Sequence, residues 1–168
     1  EILRSLVGTS ATVIAKIECR RSLNNLEEII ASSDAILIDR GDLSREIPIE
    51  RIPAAQKVIT NKAKSGNVKV FVATNLLESM VSSPYPSRAE VSDVIATLLD
   101  GANGLVLAAE TAIGRYPGRC VAMVKRLVSE YLSESWPGID FGVAEGGNGM
   151  FHGAAGIHAR HIDECHRP

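Results

Sequence analysis

Several scarcities narrow the field. Aromatic residues make up only 4% of the 168-residue chain, which leaves few platforms for stacking nucleobases. No basic excess offsets that shortage: the formal net charge is −2, so nucleic acid is not an expected partner. There is no run of about 18 apolar residues and no signal-peptide pattern at the N-terminus, so no membrane partner is expected either. The three cysteines, Cys19, Cys120 and Cys165, are scattered and odd in number, which predicts free thiols and an intracellular, cytoplasmic setting rather than a disulfide framework. What remains is 45% hydrophobic and 23% charged, the balance of a soluble globular domain with one proper core. Glu1–Arg4 reads as the middle of a helix whose beginning is missing.

Thr12–Glu18, TVIAKIE, has the make-up of a buried strand with two charges set into its end. Strand side chains alternate faces, so Lys16 and Glu18 share one with Thr12 and Ile14, while Val13, Ala15 and Ile17 form a wholly apolar face. Ala35–Ile38 is a second apolar run, and it leads into Asp39, Arg40 and Asp42. Charge at the end of a buried strand is costly unless it is paired or binds something. Two readings follow from the spacing: ion pairs capping the strands, or a shared polar site at their C-terminal ends.

The rest of the chain repeats the pattern. Residues 1–8 read as the end of a helix stopping near Gly8. Asn24-Asn25-Leu26-Glu27 sets a capping residue three places before a glutamate and predicts a short helix to about Ala31. Ile52, Ala55, Val58, Ile59 and Ala63 recur at helical spacing and predict a helix over about 50–64, with Pro53 in its first turn and Ser65-Gly66-Asn67 at its end. Val68–Ala73 predicts a third strand, ending at Thr74-Asn75. Ser87-Arg88-Ala89-Glu90 is a capping box opening a helix to about Asp100. Gly101 and Gly104 bracket the turn into a fourth strand, Leu105–Ala108. Tyr116-Pro117 opens a last helix with Val121, Val124, Leu127, Val128 and Leu132 on one face.

Four repeats of apolar strand, loop and helix predict an α/β fold whose parallel sheet is covered on both faces. Chemistry in such folds gathers at the C-terminal ends of strands. Here those ends carry Lys16/Glu18, Arg40/Gly41/Asp42, Thr74/Asn75 and Glu110/Thr111. The coincidence favours a functional site over ion pairing alone.

AKIE (Ala15–Glu18), RGDL (Arg40–Leu43), EIP (Glu46–Pro48), AQK (Ala55–Lys57), ATNLLESM (Ala73–Met80), RAEVSDV (Arg88–Val94) and ETAIGRYP (Glu110–Pro117) together resemble pyruvate kinase, in order and spacing, over about residues 1–133. ATN at Asn75 is similar to bacterial and plastid forms, so a plastid is the alternative location. The resemblance implies the second half of a catalytic β/α barrel: residues 1–137 as a partial TIM barrel of about four βα units. It implies phosphoryl transfer between phosphoenolpyruvate and ADP, giving pyruvate and ATP. Lys16 would neutralise the phosphoryl group in flight. Glu18 and Asp42 would hold Mg²⁺ or Mn²⁺. Arg40, Gly41, Asp42 and Thr74 would meet the substrate, Gly41 through close backbone approach and Thr74 at the carboxylate or enolate of pyruvate. K⁺ is also implied, with ligands from the first half of the barrel.

Three positions depart from the family pattern. Asp39 stands where alanine usually precedes RGDL, and a third carboxylate beside an anionic substrate is expected to turn away or to pair with Arg40. Ala108-Ala109 replaces Ser-Gly before Glu-Thr, removing a hydroxyl, and Ser44 replaces the glycine after RGDL. Together they point to an altered active site. The resemblance also implies that four barrel strands, the lid and the regulatory domain are absent, leaving two sheet edges unpaired. Homo-oligomerisation, or membership of a longer chain, is therefore expected, with little or no activity in isolation. Two other functions fit the residues: a metal-dependent pyruvate-enolate lyase or aldolase, and a non-catalytic barrel module.

Residues 138–168 form a Gly/His-rich tail without counterpart in the family, expected to be flexible. Its His158, His161, Cys165 and His166 stand at spacings able to ligate zinc, the competing reading. Arg40-Gly41-Asp42 also spells an adhesion tripeptide, a use that a βα-loop position disfavours.

Overall fold

Four apolar segments pair in parallel, in chain order. In the computed structural model, which describes residues 2–133, β1 (Ile14–Ile17), β2 (Ala35–Asp39), β3 (Lys69–Ala73) and β4 (Gly104–Val106) form one sheet of order β1-β2-β3-β4. The ladder runs from Ile14 opposite Ala35, through Ile36 opposite Val70, to Phe71 opposite Gly104. Around it lie α1 (Ile2–Val7), α2 (Arg20–Asn24), α3 (Leu26–Ala31), α4 (Arg40–Glu46), α5 (Ile52–Ser65), α6 (Arg88–Leu99), α7 (Ala109–Ala112) and α8 (Pro117–Leu132). The sheet does not close on itself, so the architecture is α/β, a partial barrel of four βα units.

The register decides which face is buried. Ala15, Ile17, Ile36, Ile38, Val70 and Val72 share one face and pack against Leu26, Ile30, Ile52, Ile59 and Ala63. A second apolar cluster joins Leu76, Leu77 and Met80 to Val94, Leu98, Cys120 and Leu127, with Leu105 of β4 against it. Neither cluster draws on the opposite face, where Ile14 is 50% and Val106 37% exposed, and Leu37 and Phe71 are half-buried. The expectation of a sheet covered on both faces is therefore corrected. These strands lack polar alternation because their second face is a barrel interior, and an open arc leaves that interior uncovered.

Local signals account for most helix ends. Ser87 Oγ accepts from the Glu90 amide and Glu90 reaches back to the Ser87 amide, the capping box expected for α6. Pro53 sits in the first turn of α5. At the end of α5 the left-handed residue is Asn67 (φ 54°). Gly66 is required for space, since a Cβ there would lie 2.8 Å from Ile30 Cγ2.

Three helices were not anticipated: α2, α4 and the one-turn α7. Ser22 accepts the Glu18 and Cys19 amides and donates to the Cys19 carbonyl, so a helix starts at Arg20 and the expected Asn24 cap becomes the end of α2. RGDL, expected as a loop, is the first turn of α4, with Asp39 capping it through the Asp42 amide. On α5, Val58 faces solvent whereas Gln56 and Thr60 are buried. Gln56 Nε2 donates to Thr97 Oγ1 at 3.3 Å, so a polar pair occupies the seam between α5 and α6. On α8, Cys120 and Leu127 are the buried positions, while Val121 and Leu132 are exposed.

Candidate active site

Strand parity assembles the site. Lys16 and Glu18 lie on the open face of β1, and one step beyond the Ile17–Ile38 pair brings Asp39 alongside Glu18. Lys16 Nζ is 2.6 Å from Glu18 Oε2 and 3.0 Å from Asp39 Oδ2. Asp42 enters from the first turn of α4, where its carboxylate also lies 3.3 Å from Arg45. Carboxylate oxygens of Glu18, Asp39 and Asp42 all lie within 4.8 Å of one another.

The charges tune one another. Lys16 is held well above its ordinary pKa, first by Glu18 and then by Asp39. Burial opposes ionisation of Asp39, but hydrogen bonds from Lys16, the Asp42 amide and Thr74 outweigh it and hold the carboxyl below its usual value. Both ways out expected for Asp39 are corrected: it neither turns away nor pairs with Arg40. Its parity on β2 points it at Lys16, while Arg40, one residue on, leaves by the other side.

Arg40 is buried and fully committed. Nη1 donates to both Asp93 oxygens, at 3.0 and 2.7 Å. Nε and Nη2 donate to the Thr74 carbonyl at 3.2 and 2.9 Å, and Nη2 also to the Asn75 carbonyl at 3.1 Å. A guanidinium has five N–H donors, and these contacts use all of them. Arg40, expected to meet substrate, here braces the end of β3.

That brace holds an unusual turn. Thr74 (φ 67°) and Asn75 (φ 55°) are consecutive left-handed residues, and neither is glycine. The left-handed region costs roughly 1–2 kcal/mol per residue, and a β-branched side chain is rarely found there. Such strain persists where surrounding contacts over-determine it. In this conformation Thr74 Oγ1 accepts the Gly41 amide at 2.7 Å and lies 3.2 Å from Asp39 Oδ1. Gly41 meets this turn rather than open space: a Cβ there would lie 3.3 Å from Thr74 Oγ1.

Two further carboxylates, named above as a strand-end residue and a helix cap, take on bracing roles that the sequence did not indicate. Glu110 is fully buried and accepts the Leu77 amide at 3.2 Å and the Ala108 amide at 2.7 Å, joining the end of β4 to the segment after β3. Glu110/Thr111, one of the four strand-end clusters, is thus turned inward at Glu110. Glu90 accepts from the Ser79 amide (2.6 Å) and hydroxyl (2.5 Å) and from the Ser87 amide (2.7 Å) and hydroxyl (2.9 Å). Burial opposes its ionisation, but these four bonds prevail and hold its pKa below the ordinary 4.5. As pH falls below about 4.5 the unfolded chain takes up this proton before the folded one, so stability drops through the folded value. Melting temperature measured from pH 7 to pH 3 should show this acid limb. Glu90→Gln should flatten it and cost roughly 1.5 kcal/mol at neutral pH; an unchanged limb would refute the assignment.

Residues 2–121 match the family described as pyruvate kinase, barrel domain. The chain belongs to the pyruvate kinase family. It is 46% identical over 123 residues to a pyruvate kinase of Thermotoga maritima, covering 73% of this chain and 26% of that protein. A pyruvate kinase of Agrobacterium vitis is 46% identical over 127 residues, 76% of this chain and 26% of its own length. One from Mycobacterium tuberculosis is 41% identical over 122 residues, 73% of this chain and 26% of its own length. The chain thus spans about a quarter of the length of these curated relatives.

Within the pyruvate kinase family match, Lys16, Glu18, Asp42, Gly41 and Thr74 gather at the C-terminal ends of β1, β2 and β3, with Arg40 behind them. Asp39 completes the carboxylate group, and Asp93, within RAEVSDV, anchors Arg40. His158, His161, Cys165 and His166 lie outside the described residues.

Proposed function

We propose that this chain carries the cation- and phosphoryl-binding part of a phosphotransferase that moves a phosphoryl group between phosphoenolpyruvate and ADP. One observation carries the reading: three carboxylates and one ammonium converge at the C-terminal end of a parallel sheet. The donors suit a hard divalent cation. Glu18 Oε2 is buried and has no hydrogen bond beyond its ion pair with Lys16, and every available ligand is a carboxylate oxygen, the chemistry of Mg²⁺ or Mn²⁺. Glu18 and Asp42, joined by Asp39, would hold that ion. When bound it would neutralise charge on phosphoryl and enolate oxygens.

The chain's own residues do the rest. Lys16, protonated throughout the physiological range, offers its ammonium to the equatorial phosphoryl oxygens. Thr74 presents a hydroxyl fixed by the left-handed turn, close to where the pyruvate carboxylate or enolate would sit. K⁺ and nucleotide would be bound by the part of the relatives' length that this chain does not span.

Mn²⁺ titrated into the 168-residue chain and followed by electron paramagnetic resonance should bind at one site, with affinity reduced at least tenfold by Glu18→Gln or Asp42→Asn. Binding indifferent to both substitutions would overturn the reading. A coupled assay for pyruvate on these 168 residues alone should stay at background, since they span about a quarter of the relatives' length. A non-catalytic role is favoured by one contact: Lys16 is already paired with two carboxylates. Failure of Mn²⁺ to raise the melting temperature would support that alternative, because a ligand binding only the native state must stabilise it.

The open apolar face and the outer edges of β1 and β4 need a further half-barrel, from a second copy or from a longer chain. Light scattering on the purified 168-residue chain should report a dimer or larger at micromolar concentration. A clean monomer would exclude the second-copy route.

A further inference from the structure

The brace behind the site begins on an element that takes no part in it. Asp93 lies on α6, and its carboxylate receives both Nη1 donors of Arg40. A single point contact would leave the guanidinium free to swing about its long stem, whereas this paired contact sets the direction of the remaining N–H groups. Those groups converge on the carbonyls of Thr74 and Asn75, the two left-handed residues. The turn in turn sets Thr74 Oγ1 between the Gly41 amide and Asp39 Oδ1, and Asp39 Oδ2 meets Lys16. Each link is a polar contact of 3.2 Å or less.

We propose that Asp93 is a positioning residue of the active site: through Arg40 it holds the Thr74–Asn75 turn, and through that turn it places Thr74 and Asp39 beside the cation ligands. This rests on the cation-binding reading above. Asp93 itself touches none of Glu18, Asp42 or Lys16, and its side chain is half-exposed, so its influence on the site runs through Arg40. Outer partners of this kind change metal affinity by about 10- to 100-fold when they are removed.

The test compares Asp93→Ala, the near-isosteric Asp93→Asn and the charge-retaining Asp93→Glu in the 168-residue chain. Two readouts are taken: Mn²⁺ affinity by electron paramagnetic resonance, and the Gly41 amide proton shift by ¹⁵N-resolved NMR without metal. The expected result is Mn²⁺ binding weakened about tenfold in the Ala and Asn variants, with partial recovery in Glu. The Gly41 amide proton should move upfield as its bond to Thr74 Oγ1 loosens. Asn keeps the shape and so separates positioning from loss of fold. Mn²⁺ affinity and a Gly41 shift both unchanged in Asp93→Asn would overturn the proposal. If the unsubstituted chain binds no Mn²⁺, the cation reading fails by itself, and the Gly41 shift alone decides whether Asp93 positions the turn.

Discussion

Arg40→Met should destabilise the fold by roughly 3 kcal/mol, the sum of an unpaired Thr74 carbonyl and the loss of support for two left-handed residues. Asp93 is half-exposed and regains water, so its lost partner adds little. For a domain of this size the loss corresponds to roughly 10 °C in melting temperature. Arg40→Lys should recover only a minor part, because an ammonium is a point charge and cannot serve one carboxylate and two carbonyls from a single plane. Thermal denaturation of the three proteins checks this. A loss below about 1 kcal/mol in the Met variant would mean that the turn is held by something other than Arg40.

Gly114→Ala should be comparably damaging, with about 3 kcal/mol lost and a shifted urea midpoint. A Cβ at this position would lie 2.2 Å from the Glu110 carbonyl oxygen and 2.8 Å from its carbonyl carbon. Both are backbone atoms, so no rotamer change relieves the contact. Displacing Glu110 would also loosen its bonds to the Leu77 and Ala108 amides, where β4 meets the segment after β3. Cys120 provides a local reporter. Its thiol packs against the Glu110 carbonyl at 3.6 Å, and burial first, then the Glu110 charge, pushes its pKa up. Disulfide-exchange labelling of Cys120, slow in the parent chain, should accelerate in Gly114→Ala. Unchanged stability together with unchanged labelling would show that the 110–114 turn relaxes without cost.

Much of the architecture is written in short-range pattern. Apolar runs at Ala35–Ile38 and Val68–Ala73, the Ser87–Glu90 capping box and Pro117 at the head of α8 are local signals, and each sits where the chain uses it. Equally local but less legible were α2 and α4, whose starts depend on the Ser22 and Asp39 side chains accepting amides three residues away. The uncovered face was illegible for a plain reason. A strand lining a barrel interior and a strand sandwiched between helix layers have the same apolar composition.

The motifs by themselves placed Lys16, Glu18, Asp42 and Thr74 at the C-terminal ends of successive strands, because β/α order and strand alternation are properties of the chain read one residue at a time. Tertiary structure alone decided where their neighbours point. Asp39 faces Lys16 because parallel register sets it alongside Glu18, whereas Arg40 turns the other way to reach Asp93, 53 residues on. The left-handed Thr74–Asn75 turn carries no glycine to announce it and exists because one guanidinium binds both carbonyls. Long-range contacts of this sort have no period in the sequence, so only folding reveals them.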